Sequence, residues 1–207
     1  MTKTDTSRPD AALPTPSHTV GPFYGYALPF PGGGDIAPVG HPDTITVQGY
    51  IRDGEGNPLP DAFVELWGPD PDGNLPQVDG SIRRDPATGG YLGRNGVEFT
   101  GWGRVQTDAG GHWYARTLRP GARGGNAPYL SVCVFARGLL VHLYTRIYFA
   151  GSSDGSCDDA ALAADPLLAR LDPERRDTLI ARDGGDGTYR FDIRLQGEGE
   201  TVFLEFT

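Results

Sequence analysis

Between Ile45 and Arg52, apolar and polar residues change places at every step. Ile45, Val47, Gly49 and Ile51 alternate with Thr46, Gln48, Tyr50 and Arg52. A period of two puts the first set on one face of a β-strand and the second on the other. The run ends in Asp53-Gly54-Glu55-Gly56-Asn57-Pro58, a turn by its residue types, and residues 62–67 return with Ala62, Val64 and Leu66 on one face. Similar strand patterns occupy residues 112–117, 129–137, 141–149, 189–195 and 201–206. The chain of 207 residues carries 31 glycines and 18 prolines, which break it into short runs. Short strands joined by Gly/Pro turns predict an all-β sandwich with long loops. Residues 158–181 hold the only helical signal, with Leu162, Leu167, Leu168 and Leu171 clustered and Pro173-Glu174-Arg175-Arg176 as a helix start. Residues 68–103 have neither period, and a loop of that length is expected to serve function or an interface. The expected organisation is an N-terminal arm, residues 1–18 and partly flexible, before one sandwich domain, residues 19–207.

The formal net charge of -9 excludes a basic nucleic-acid surface and an attraction to anionic lipid. No apolar run approaches the roughly 18 residues of a membrane helix. The first residues lack the apolar centre of an export signal, so a cytoplasmic protein is expected. Cys133 and Cys157 are then two free thiols in a reducing compartment.

His18, His41, His112 and His142 form no His-x-His or His-x3-His pair, and the two cysteines have no zinc spacing. No phosphate-binding glycine motif and no Gly-x-Ser-x-Gly elbow occurs. On the strand at 129–137, Tyr129, Ser131, Cys133, Phe135 and Arg137 share one face, opposite Leu130, Val132, Val134 and Ala136. On the next strand His142, Tyr144, Arg146 and Tyr148 share a face. The His142/Tyr144 pair fits either a hydrogen-bonded polar face or half of a metal site. Arg137, at a strand end beside Gly138, can reach outward with a planar fork suited to a carboxylate.

Several stretches in order resemble one family. They are Thr15-Pro16-Ser17-His18-Thr19-Val20-Gly21-Pro22-Phe23, Gly49-Tyr50-Ile51-Arg52-Asp53-Gly54, Val64-Glu65-Leu66-Trp67, Phe135-Ala136-Arg137-Gly138, Thr145-Arg146-Ile147-Tyr148-Phe149 and Gln196-Gly197-Glu198-Gly199-Glu200-Thr201-Val202-Phe203. The family is the intradiol ring-cleavage dioxygenases, and the likeness extends to the alpha-type subunit of its hetero-oligomeric members. It implies a transthyretin-like β-sandwich. Active members hold a non-haem ferric ion with two tyrosines and two histidines, and they open a catechol ring between its hydroxyl-bearing carbons. One tyrosine follows a Pro-Gly turn, and the histidines form a His-x-His pair on the next strand. Here the turn leads to Arg123, and Tyr129 and Ser131 stand in the histidine positions. The first tyrosine ligand falls in the irregular stretch, where Tyr91 is the only tyrosine.

The resemblance therefore implies no catalytic residue in this chain alone and no cofactor bound by it, with Fe(III) in a partner beta subunit. It implies an aromatic carboxylate substrate at the shared interface, lined from this side by Thr19, Gly21, Pro22, Phe23 and Arg137. A tyrosine usually stands where Phe23 does, which leaves Tyr24 as the source of a hydroxyl. Two other readings remain open at this point: a non-catalytic scaffold with the family fold, and a self-sufficient enzyme with rearranged ligands such as Tyr91, His142 and Tyr144.

Overall fold

The alternation that starts at Ile45 becomes the central strand of a computed structural model that describes residues 21, 23–78, 81–150 and 159–206. This strand, β1 (Thr44–Arg52), buries every second residue, and Val47 and Ile51 are fully enclosed. The remaining strands are β2 (Phe63–Trp67), β3 (Ile82–Arg84), β4 (Tyr91–Arg94), β5 (Trp102–Gln106), β6 (His112–Leu118), β7 (Tyr129–Phe135), β8 (Leu143–Phe149), β9 (Ile180–Asp183), β10 (Thr188–Arg190) and β11 (Ile193–Arg194). Nine of them form one continuous sheet, and β3 and β4 form a separate hairpin.

The sheet folds back on itself. On one side β1 pairs antiparallel with β6 and parallel with β10 and β11. On the other, β7 lies antiparallel between β2 and β8, with β5 beyond β2. The corner is β9, whose Ile180 and Ala181 pair with β8 while Arg182 and Asp183 pair with β10. The inward residues of both halves meet in one core that includes Val47, Val64, Trp113, Val132, Ile147 and Phe191. Two half-buried sheets covering each other in this way match the expected all-β sandwich.

Gly49 shows why one position in β1 cannot carry a side chain. A Cβ there would lie 1.7 Å from the Phe191 carbonyl oxygen. That close approach lets Phe191 N–H reach Gln48 O at 2.7 Å as β10 gives way to β11.

The segment with helical signal covers the Tyr129 and Tyr148 end of the outer face of β7 and β8. It contains α2 (Asp159–Ala164), one 3-10 turn (Leu168–Arg170) and α3 (Pro173–Asp177), with α1 (Tyr24–Ala27) the other short helix of the fold. Leu162, Leu168 and Leu179 bury against Ala127, Tyr148 and Val202 as a second cluster. The helical segment ends sooner than residue 181, because Ile180 and Ala181 belong to β9. Residues 201–206 form a single bridge, Tyr144 to Leu204, instead of the expected strand. Three parts of the fold fall outside the strands and helix read from the sequence: the hairpin β3–β4, strand β5 and the single turn α1.

Cys133 is a free thiol on β7, whereas Cys157 lies outside the described residues. Burial first, and Glu65 second, push the Cys133 thiol up to about 12. In a Cys157→Ser variant, Cys133 should therefore react slowly with a disulfide reagent at pH 8 in the folded protein and fast in urea, since the thiolate is the nucleophile. Equal rates in both conditions would contradict the buried placement.

Candidate functional site

The non-core face of β2, β7 and β8 carries a ladder of cross-strand rows. Trp67, Ser131 and Arg146 form one row, and Glu65, Cys133 and Tyr144 form the next. Phe63 pairs with Phe135 in a third. Beyond it Asp61 meets Arg137. Ser131 and Arg137 are six residues apart on one face, so the two ends of this ladder are about 20 Å apart at strand rise.

At the Arg137 end, Arg137 Nε lies 2.8 Å from Asp61 Oδ2, with the arginine side chain 73% exposed and the aspartate 25%. Gly138, at φ 88°, turns the chain sharply after it. An ion pair through Nε fixes the guanidinium plane and leaves its outer edge, with two terminal nitrogens, facing away from the carboxylate. Tyr24 joins this corner. Its hydroxyl donates to the Asp61 carbonyl and is also held by the Arg137 backbone amide. Its ring meets Phe63 edge-on at 5.1 Å. Burial, then the negative charge of Asp61, raise the Tyr24 hydroxyl above the usual phenol value, against a smaller pull from Arg137.

Tyr24 is thus an anchor, buried at 4% exposure, and its hydroxyl points inward. The rest of this short segment is tied down as well. Arg104 Nη1 donates to Leu28 O at 3.1 Å while its Nε donates to Glu65 at 2.7 Å. Phe30 stacks on Trp102 at 5.8 Å. Tyr91 OH donates to Ala27 O at 3.2 Å. With Tyr24 turned in, Phe23 and Tyr26 are turned out, at 73% and 88% exposure. Gly21 is half-buried just before them. Thr19 and Pro22 lie outside the described residues.

At the other end, Arg123, Tyr129 and Ser131 line one cleft of about 170 Å³ with Trp67 and Asn126. The Pro120-Gly121 turn is pressed against the loop after β2: Gly121 N–H donates to Asp70 O at 2.9 Å, and a Cβ on Gly121 would lie 2.3 Å from Pro71 O. Arg123 Nη1 donates to Gly73 O at 3.3 Å across the same seam. Behind the cleft, the Arg146 guanidinium lies over the Tyr129 ring at 4.0 Å and donates to Tyr148 OH at 2.9 Å. Tyr148 OH donates to Asp165 Oδ1 at 3.1 Å. Burial holds the Tyr148 hydroxyl far above the usual phenol value, so it remains a neutral donor.

The residues at these positions do not fit a ferric ion. Ferric iron needs anionic oxygen or neutral nitrogen donors. The three positions offer a guanidinium, a phenol covered by a second guanidinium, and a serine hydroxyl. Among the described residues no cluster of three or more His, Cys, Asp or Glu could hold a metal. Nor do Tyr91, His142 and Tyr144 converge into one shared set of contacts. Tyr91 sits on β4 with Arg84 and Ala27. His142 Nε2 lies 2.5 Å from Tyr144 OH, and those two rings pack on Phe135 and Phe206. The paired rings fit the polar, hydrogen-bonded alternative for that face.

Two functional candidates escaped the sequence reading: Asp61, which orients Arg137, and Arg146, which covers Tyr129. Asp61 lies in the turn before β2 and has no periodic signal. Its counter-charge on Arg137 is 76 residues away along the chain.

A family model described as "Dioxygenase" matches residues 35–197. The protocatechuate 3,4-dioxygenase alpha chain of Burkholderia cepacia is 38% identical, over 92% of this chain and 96% of that one. The beta chain of the same enzyme from Burkholderia cepacia is 30% identical, over 77% of this chain and 67% of that one. Among solved structures, the dioxygenase domain of a carbohydrate-binding fusion protein from Streptomyces sp. SirexAA-E aligns with a TM-score of 0.52 at 23% identity, covering 89% of this chain and 99% of that one. No helix among the described residues is long and apolar enough to cross a membrane.

Proposed function

This chain belongs to the intradiol ring-cleavage dioxygenases, and on that premise we propose that it is the alpha subunit of a protocatechuate 3,4-dioxygenase. The enzyme would add both atoms of O2 to 3,4-dihydroxybenzoate and open the ring to 3-carboxy-cis,cis-muconate. A beta chain would hold Fe(III), the group that makes the catechol reactive toward oxygen. This chain would complete the pocket from outside.

The observation that carries the reading is the contrast between the two ends of one sheet face. The metal positions offer one phenol beside a guanidinium and a serine hydroxyl, too few donors to hold iron, while Arg137 is held, oriented and exposed about 20 Å away, by the roughly 3.3 Å rise per strand residue. An arginine presented in this way takes a planar carboxylate through two parallel hydrogen bonds. Phe23 and the segment around Gly21, with Thr19 and Pro22, would form the adjoining wall and exclude water from the ring. Leu140 and Val141, 62% and 54% exposed a few residues past Arg137, are apolar surface suited to a partner chain. The same reading places the assembly in the cytoplasm, where Cys133 stays reduced.

The test is co-expression with an iron-bearing beta chain and a ring-cleavage assay on 3,4-dihydroxybenzoate. Neither chain alone should turn substrate over, and the pair should. A beta chain with the same kcat and KM in the absence of this chain would make this chain a scaffold.

Asp61 has a graded role in this scheme. Asp61→Asn keeps the shape and removes the charge that aligns the guanidinium. In the two-chain complex KM should rise about threefold to fivefold with kcat unchanged, because exposed ion pairs are worth at most about 1 kcal/mol. A fall in kcat at constant KM would contradict a positioning role.

A further inference from the structure

We propose that the cleft around Arg123, Tyr129 and Ser131 is a binding pocket for a small aromatic carboxylate, with a guanidinium doing the work a metal cation would otherwise do. Its lining residues include no aspartate or glutamate, in a chain whose formal net charge is -9. The lining has two characters. Trp67, Pro69 and Leu75 supply an apolar side and a ring platform, and Trp67 is 40% exposed on it. Arg123, Asn126, Tyr129 and Ser131 supply the polar side. Few converging polar groups on an apolar wall is the usual make-up of a small-molecule site.

Positive charge comes from two places. Arg123 is tied to Gly73 O by one nitrogen, and among the described residues its other guanidinium nitrogens have no acceptor. Arg146 lies in the same cross-strand row as Ser131 and Trp67, stacked on Tyr129. Asp165, behind Ala127, offsets part of this charge, but both its oxygens are turned to other donors: Oδ2 to Ala127 N–H, and Oδ1 to Tyr148 OH and the N–H groups of Leu167 and Leu168. A carboxylate on Arg123 with its ring against the Trp67 indole uses both characters at once. A bare anion would use only one. This inference stands without the partner-subunit reading, because it rests on this chain's own cleft.

Benzoate is the probe: it has the carboxylate and the ring but no catechol to be cleaved. The full chain, without any partner, is titrated with benzoate while tryptophan fluorescence and two-dimensional amide NMR are followed. Saturable binding is expected, with shifts at Trp67, Asn126 and Ser131. Arg123→Ala should weaken it about tenfold, one lost charge-assisted contact. Arg123 is exposed, so the variant should fold, and an unchanged thermal melt verifies that. Arg83→Ala, at an exposed arginine on the separate β3–β4 hairpin, should leave it unchanged, which separates this pocket from attraction to surface charge. Absence of saturation at millimolar benzoate overturns the proposal. So does equal affinity for methyl benzoate, which lacks the charge, or for inorganic phosphate, which lacks the ring.

Discussion

Arg137→Ala in the two-chain enzyme raises KM for 3,4-dihydroxybenzoate by about 10- to 150-fold, the cost of one charge-assisted hydrogen-bonded contact at roughly 1.5–3 kcal/mol. The Asp61 carboxylate holds the guanidinium by Nε alone, so the carboxylate-binding edge is removed by the truncation while the fold keeps its anchors. Tyr24 holds the backbone at that corner through the Arg137 amide, which survives the substitution. Iron content of the complex should be unchanged. The diagnostic comparison is plain catechol: it lacks the carboxylate, so whatever poor activity the enzyme has on it should be nearly the same with and without Arg137. Equal losses on both substrates would mean that the arginine supports the interface and does not read the substrate.

Asp165→Ala should lower the stability of the chain by about 3–5 kcal/mol, the range found when one side of a buried charged network is removed. Asp165 is completely buried and, among the described residues, accepts from four donors: Ala127 N–H at 3.1 Å, Tyr148 OH at 3.1 Å, Leu167 N–H at 2.9 Å and Leu168 N–H at 3.1 Å. It is the bolt between the helical segment and the strands β7 and β8, and alanine leaves all four donors without a partner in a dry site. For a chain of this size that corresponds to a fall in melting temperature of about 10 °C or more. Asp165→Asn should cost less. Its amide oxygen can keep the three Oδ1 contacts, and only the NH2 group opposes Ala127 N–H. Urea unfolding of the three proteins measures the order, and an alanine variant as stable as the parent would remove the bolt from the account.

The alternation at Ile45, Val47, Gly49 and Ile51 was readable as β1 because one face of that strand is core and the other is not. The facing of β7 was readable for the same reason, with Leu130, Val132 and Val134 inside. The hairpin β3–β4 was not. Its strands hold three and four residues, and none is buried, so no alternation is imposed on them. The turn α1 is four residues long, shorter than a helical period can reveal, and it is held by tertiary contacts of Tyr24. Tyr148 was placed on a polar face with His142 and Tyr144, yet it is fully buried, because the helical segment covers that part of the outer face. Arg137 was legible as an outward-reaching arginine at a strand end, the position from which a carboxylate-binding role is proposed for it. Its partner Asp61 was not, since no local pattern links residues so far apart in the chain.

The order of residues alone determined which faces of β1 and β7 turn inward and where the chain turns, and it is the family resemblance that implies Arg123, Tyr129 and Ser131 at the ligand positions of an iron site. These are local matters: side-chain period, turn chemistry and donor type act within a few residues. Only the folded chain decided that those three positions close around one cleft under Arg146, that Tyr24 turns its hydroxyl in and leaves Phe23 out, and that Asp61 aims Arg137. Each of these joins residues from different strands or loops, so it depends on cross-strand register and on how one layer covers another.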